Sequence, residues 1–169
     1  GLWSRAASLP VARGSHTATV VDGKIYVVGG DIYDEGQVVV TDRVDMYDPA
    51  ADSWQQVAAM PTARMSHAAA VVDGKIYVSG GLAASGEDSD ALEAYDPVTN
   101  TWTMLANLSE ARECHASAVV NGKLYVFGGY SGSGPIAMDL VEVYSPASNS
   151  WAGSADLPRA VDDAVAVAL

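Results

Sequence analysis

Two short apolar runs separated by Asp-Gly or Asn-Gly recur three times along the chain. They read VVDGKIYVVGG at 20–30, VVDGKIYVSGG at 71–81 and VVNGKLYVFGG at 119–129. The dipeptide supplies the positive φ angles of a tight two-residue turn, so each run predicts a β-hairpin of two strands, A and B. Downstream, RVDMYDP, ALEAYDP and LVEVYSP alternate apolar and polar positions and are stopped by or near Pro, which predicts a third strand, C. SWQQVAAMP, TWTMLANLS and SWAGSADLP follow after a short loop and predict a fourth strand, D, carrying a Trp. No helical period intervenes anywhere, so the chain reads as all-β.

The repetition extends beyond the hairpin. Every unit has an Arg three residues before a His, a doubled Gly, a Tyr-Asp-Pro or Tyr-Ser-Pro, and a Trp; Trp3, Trp54, Trp102 and Trp151 recur at intervals of about 50 residues. Periods of this size mark stacked supersecondary units, and a four-stranded blade that is apolar on both faces has to be covered by its neighbour. The chain therefore divides into an orphan strand D over 1–9, blades over 13–59, 64–107 and 112–155, and an orphan strand A over 161–169, all within one domain.

With its doubled Gly followed by spaced Tyr and Trp, this pattern resembles the kelch repeat family over essentially the whole chain. The resemblance implies a β-propeller of three four-stranded antiparallel blades, with strand A lining a central channel and strand D at the rim. It also implies that the Gly pairs end strand B where a side chain would obstruct packing. Kelch-type propellers include copper oxidases and sugar-acid mutarotases, but fold alone does not carry function. The expectation is a binding or assembly scaffold and not an enzyme, with two rivals: a propeller enzyme acting on a sugar or sugar acid, and a purely structural unit whose only partner is itself. Three blades are too few for a ring, and the last segment has Val161 and Ala164 where the others have Arg and His. This predicts completion by a partner: a homo-oligomer, either a head-to-tail dimer or an open filament, or else membership of a longer repeat array.

Charge narrows the partners. Nine basic residues stand against 21 acidic ones among 169, a net charge of −12 that repels nucleic acid and anionic membrane surfaces. No apolar run approaches the roughly 20 residues that span a bilayer. The opening GLWSRAASLP lacks the regions of a signal peptide, so the compartment stays open. One cysteine, Cys114, leaves no intrachain disulfide to form.

Candidate chemistry falls into three groups. Arg13, Arg64 and Arg112 stand just before strand A, where three guanidinium groups near the channel suit a carboxylate or phosphate. The plainer reading pairs each with the acid fixed in its own strand C, Asp45, Glu93 or Glu142. His16, His67 and His115 form a nominal metal set, but one His per blade reads more simply as a structural hydrogen-bonder, so no metal and no cofactor is expected. Cys114 and His115, as strand neighbours, point apart and make no catalytic pair. The unrepeated parts are the B to C connections at 31–42, 82–90 and 130–139. They offer Asp31, Tyr33, Asp34 and Glu35, then Glu87, Asp88 and Asp90, then Tyr130 and Ile136. Loops on a rigid scaffold are where recognition is usually placed. Together with the D to A loops they predict an acidic, partly aromatic face for a basic protein or a small ligand, carbohydrate included. A calcium site in GEDSD lacks the ordered spacing of a calcium loop.

Overall fold

The computed structural model describes residues 3–132 and 137–168. Every regular element in them is a strand. Blade one is a sheet of β1 (Thr17–Val21), β2 (Lys24–Val28), β5 (Val44–Asp48) and β6 (Ser53–Gln56), with a separate hairpin of β3 (Asp31–Asp34) and β4 (Gln37–Val40) inserted between its second and third strands. Blade two follows a short pairing of β7 (Arg64–Met65) with β10 (Leu82–Ala83), and its sheet is β8 (Ala68–Val72), β9 (Lys75–Ser79), β11 (Leu92–Asp96) and β12 (Thr101–Met104). Blade three contains β13 (Ala116–Val120), β14 (Lys123–Phe127), β15 (Val141–Ser145) and β16 (Ser150–Gly153). All pairings are antiparallel, with β2 joined to β5 and β9 to β11 across the connections inserted between them, and the Asp-Gly and Asn-Gly turns take the positive φ angles that a tight hairpin needs.

The sheets pack face to face through two apolar clusters. One joins Tyr26, Val28 and Met46 of blade one to Ile76, Val78 and Tyr95 of blade two; the other joins Tyr77, Leu92 and Ala94 to Leu124, Val126 and Tyr144 of blade three. Tyr26 meets Tyr95 at 5.9 Å between ring centroids, and Tyr77 meets Tyr144 at 6.0 Å. The same rings that seal one junction thus return one blade later.

A latch at the rim repeats with the blades. Trp102 Nε1 donates to Ala58 O of the preceding blade at 2.9 Å, while Asn100 Oδ1 accepts from Ala58 N and from Tyr95 OH. Trp151, Asn149 and Tyr144 hold Ala106 in the same way, and Trp54, Asp52 and Tyr47 hold Ala7. Just before the first strand of each blade the backbone is stitched across blades, from Ser66 N to Ser15 O, Cys114 N to Ser66 O and Asp163 N to Cys114 O.

The terminal segments depart from the expected strands. Neither residues 3–9 nor 161–168 form a strand, and among the described residues no second strand of their own blade pairs with them. They still take the places the repeat assigns. Ala7 sits in the rim latch, and Val161 O accepts from Gly129 N as Arg64 O does from Gly30 N and Arg112 O from Gly81 N.

Candidate functional site

The doubled Gly explains where the repeated polar residues go. Gly80 has φ +59°, and a Cβ there would stand 2.5 Å from Arg112 O and 2.6 Å from His115 Cε1 of the next blade. Only a residue without a side chain lets the next Arg-x-x-His segment lie against the strand end. That close approach fixes the His: His67 Nε2 is 2.9 Å from Thr17 Oγ1 of the preceding blade, and His115 Nε2 is 2.9 Å from Ser79 Oγ. Burial, with help from the adjacent arginine charge, drives both imidazoles down to a pKa of about 3, so they stay neutral. His16, which meets no preceding blade among the described residues, is exposed, and its Nδ1 lies 3.1 Å from Arg13 O.

Each repeated arginine faces the carboxylate of its own strand C. Arg64 Nη2 lies 2.7 Å from Glu93 Oε1, Arg112 Nη2 donates to Glu142 Oε2 at 2.6 Å, and Arg13 pairs with Asp45. The three guanidinium side chains have no solvent exposure. They also donate to strand-end carbonyls, Arg64 to Gly80 O and Ala91 O and Arg112 to Gly128 O, so they tie the ends of strands B and C together. In blade one a second cation, Arg43, grips both oxygens of Asp45 at 2.7 Å.

Cys114 is not on a strand. It takes φ +53° just before β13, and burial together with the neighbouring Asp163 raises its thiol to a pKa of about 11, leaving an unreactive thiol beside a neutral His. Among the described residues, no group of three or more His, Cys, Asp or Glu is disposed to hold a metal ion.

All three B to C connections rise on one face beside the D to A loops, as Gly14 pairing with Asp31, β7 with β10, and Glu113 with Tyr130 demonstrate. Between the loops of blades two and three lies a cavity of about 600 Å³, lined by Glu87, Asp88, Glu113, Leu82, Ala111 and Tyr130 among others. Asp88 Oδ2 accepts from Gly132 N and so joins the two loops, while its Oδ1 is buried without a partner. Partial burial, then the charge of Asp88, raises the pKa of Glu113. The structure therefore brings Glu87, Asp88 and Tyr130 together. It sets Asp90 aside as an acceptor for Asn107 Nδ2, and it places Asp31, Tyr33, Asp34 and Glu35 apart on the hairpin of blade one. Ile136 lies outside the described residues.

Glu113 was not among the residues the sequence singled out. Its signal was a position that varies inside an otherwise fixed Arg-x-x-His, occupied by Gly14, Met65 and Glu113 in the three blades.

A protein-family model described as the KLHDC2/KLHL20/DRC7 Kelch-repeats domain matches residues 15–158. The chain is similar to Kelch-like protein terF of Aspergillus terreus, 43% identical over 86 residues that cover 49% of this chain and 19% of that protein. It is similar to Kelch-like protein 33 of Homo sapiens, 36% identical over 85 residues covering 50% of this chain and 15% of that one. Beta-scruin of Limulus polyphemus is 38% identical over 85 residues, covering 50% and 9%. The matched stretch thus spans about a fifth or less of each of these relatives. A solved structure, "Structure of YjhT", superposes with a TM-score of 0.85 at 21% identity, covering 95% of this chain and 58% of that chain, a likeness of fold.

Proposed function

The chain belongs to the kelch-repeat family, and from that premise we propose that it is a propeller-type binding scaffold whose loop face receives a basic segment of a protein partner. The observation that carries this reading is the cavity between the loops of blades two and three, where Glu87, Asp88 and Glu113 surround a space large enough for a Lys or Arg side chain, beside the Tyr130 ring. A cation entering there offsets the burial and then the Asp88 charge that raise the pKa of Glu113, and an aromatic wall suits a guanidinium or ammonium group. The test is fluorescence anisotropy with a labelled Arg- and Lys-rich peptide. Binding should weaken steeply with salt and by roughly tenfold in Glu87→Gln/Glu113→Gln, with unfolding unchanged. Equal affinity for wild type and the double variant ends the reading.

Assembly is the second part of the proposal. At both internal junctions a Tyr of one blade packs on a Tyr of the next, but the corresponding Tyr125 of blade three stacks on its own Phe127 at 6.1 Å, and both remain partly exposed. This face is fit to receive a further blade, and a second copy of the chain is one source. Sedimentation over a range of concentrations should show association that Tyr125→Lys abolishes; a monomer at every concentration refutes self-association.

A further inference from the structure

The hairpin of β3 and β4 is the one B to C connection in which two strands stand clear of the blade sheets among the described residues, and its outer edge is open. Asp31 N donates to Gly14 O and Asp31 O accepts from Gly14 N, so both groups face away from β4. The Asp31 and Val40 pair is therefore a non-hydrogen-bonded one, and alternation makes Ile32 with Val39 the bonded pair and Tyr33 with Val38 again non-bonded. The bond from Thr41 N to Gly30 O, one step further along, fits the same alternation. It follows that the N–H and C=O groups of Val38 and Val40 point outward. Among the described residues nothing meets them.

Proteins usually blunt such an edge with Lys, Pro or a bulge, and 37–40 (QVVV) contains none of these. The neighbouring side chains are apolar and open, with Tyr33 78%, Val38 60% and Val39 43% exposed. Every charge from 31 to 42 is negative: Asp31, Asp34, Glu35 and Asp42.

We propose that β4 is a strand-addition site, where an extended partner segment carrying alternating apolar and basic residues pairs with Val38 and Val40 through its main chain. The charge selects the partner. A second copy of the hairpin would bring four carboxylates against four more, whereas a Lys- or Arg-bearing strand neutralises them. This site rests on the reading of the loop face as a protein-binding surface but is separate from the cavity, so the two fail independently.

The probe is a labelled decapeptide of alternating Lys and Val, titrated against the whole chain. Val38→Pro removes an outward N–H without touching a bond inside the hairpin, and should weaken binding about tenfold or more. Val38→Thr keeps the N–H and the strand preference, and should cost no more than about threefold. Thermal unfolding of both variants should match the wild type, since the hairpin contributes to neither apolar cluster. Equal binding to wild type and Val38→Pro overturns the proposal, as does equal loss in Pro and Thr variants, which assigns the effect to the side chain. Loss in Glu113→Gln with none in Val38→Pro puts the peptide in the cavity and overturns strand addition alone. Dimerisation of the wild type that Val38→Pro abolishes makes a second copy the occupant, and overturns the choice of partner.

Discussion

At the junction of blades one and two, Gly29 faces His67, Gly30 N bonds Arg64 O, Tyr26 meets Tyr95, and Trp102 latches Ala58. At the next junction Gly80, Gly81, Tyr77 and Trp151 do the same with His115, Arg112, Tyr144 and Ala106. The loops a few residues above share nothing of the kind. One becomes a free hairpin, while the other two close on each other around a cavity lined with carboxylates. The difference teaches where this chain has latitude. A junction residue meets backbone of the neighbouring blade on one side and a buried ion pair on the other, so its identity is dictated. A loop residue meets water, and its identity is free to serve recognition.

The strongest way to break this contrast is at the buried pair. Arg64→Met and Glu93→Gln, each leaving a partner with no solvent exposure, should each lower unfolding free energy by about 3–5 kcal/mol in urea titration. The double variant should lose clearly less than the sum. Strict additivity would mean that the two groups do not act together.

A matched pair of glycines sharpens the comparison. Gly80 and Gly86 both have positive φ, at +59° and +84°, but a Cβ on Gly80 runs into Arg112 O and His115, whereas one on Gly86 meets nothing within 4 Å. Gly80→Ala should cost about 3 kcal/mol or prevent folding, and Gly86→Ala about 1 kcal/mol from backbone strain alone. Similar losses from both would show that conformation and not crowding governs these positions.

Acid tests the junctions without mutation. His67 and His115 have folded pKa values near 3, well under the ordinary 6.5, so between those limits the unfolded chain binds more protons. Stability should therefore decline as pH falls from about 6.5 toward 3. In His115→Gln the decline should be clearly shallower, whatever the variant's stability at neutral pH. An unchanged slope would remove the histidines as its cause.

The smallest effect is expected at the rim. Asp52 stands where the other latches have Asn, accepting from Tyr47 OH and Ala7 N, and those bonds hold its carboxyl below the usual range. Asp52→Asn keeps the acceptor, so the neutral-pH unfolding midpoint should barely move. The contribution of Asp52, present above its unfolded pKa and lost as pH falls through the folded one, should disappear from the acid limb.

Much of the junction was legible in the sequence because it is written more than once. The Asp-Gly and Asn-Gly turns, the Gly pairs, and the Arg matched with a strand C acid could each be checked against two copies. The alternation of strand C was incomplete by itself in one respect. Period alone gives Asp45, Glu93 and Glu142 as polar positions, and only their match with the repeated arginines points to the ion pairs in which each is buried. The loops offered no such check. The Glu35-Gly36 turn between Ile32-Tyr33 and Val38-Val39 is a hairpin signal of the same kind as Asp22-Gly23, but it lay inside a stretch read as a loop because its counterparts in the other blades lack it. Glu113 was hidden for the opposite reason, as a singular residue inside a repeated phrase.

The rim latch has a consequence for heredity. Each blade grasps an Ala of the unit before it with Trp and Asn or Asp side chains of its own, and blades one and two offer the equivalent Ala to the unit after them. A gene segment encoding one period carries both the hand and the handle. In-frame duplication or loss of such a segment joins surfaces that already fit, so an array of this kind can change its length in a single recombination event, while its loops diverge afterwards at leisure.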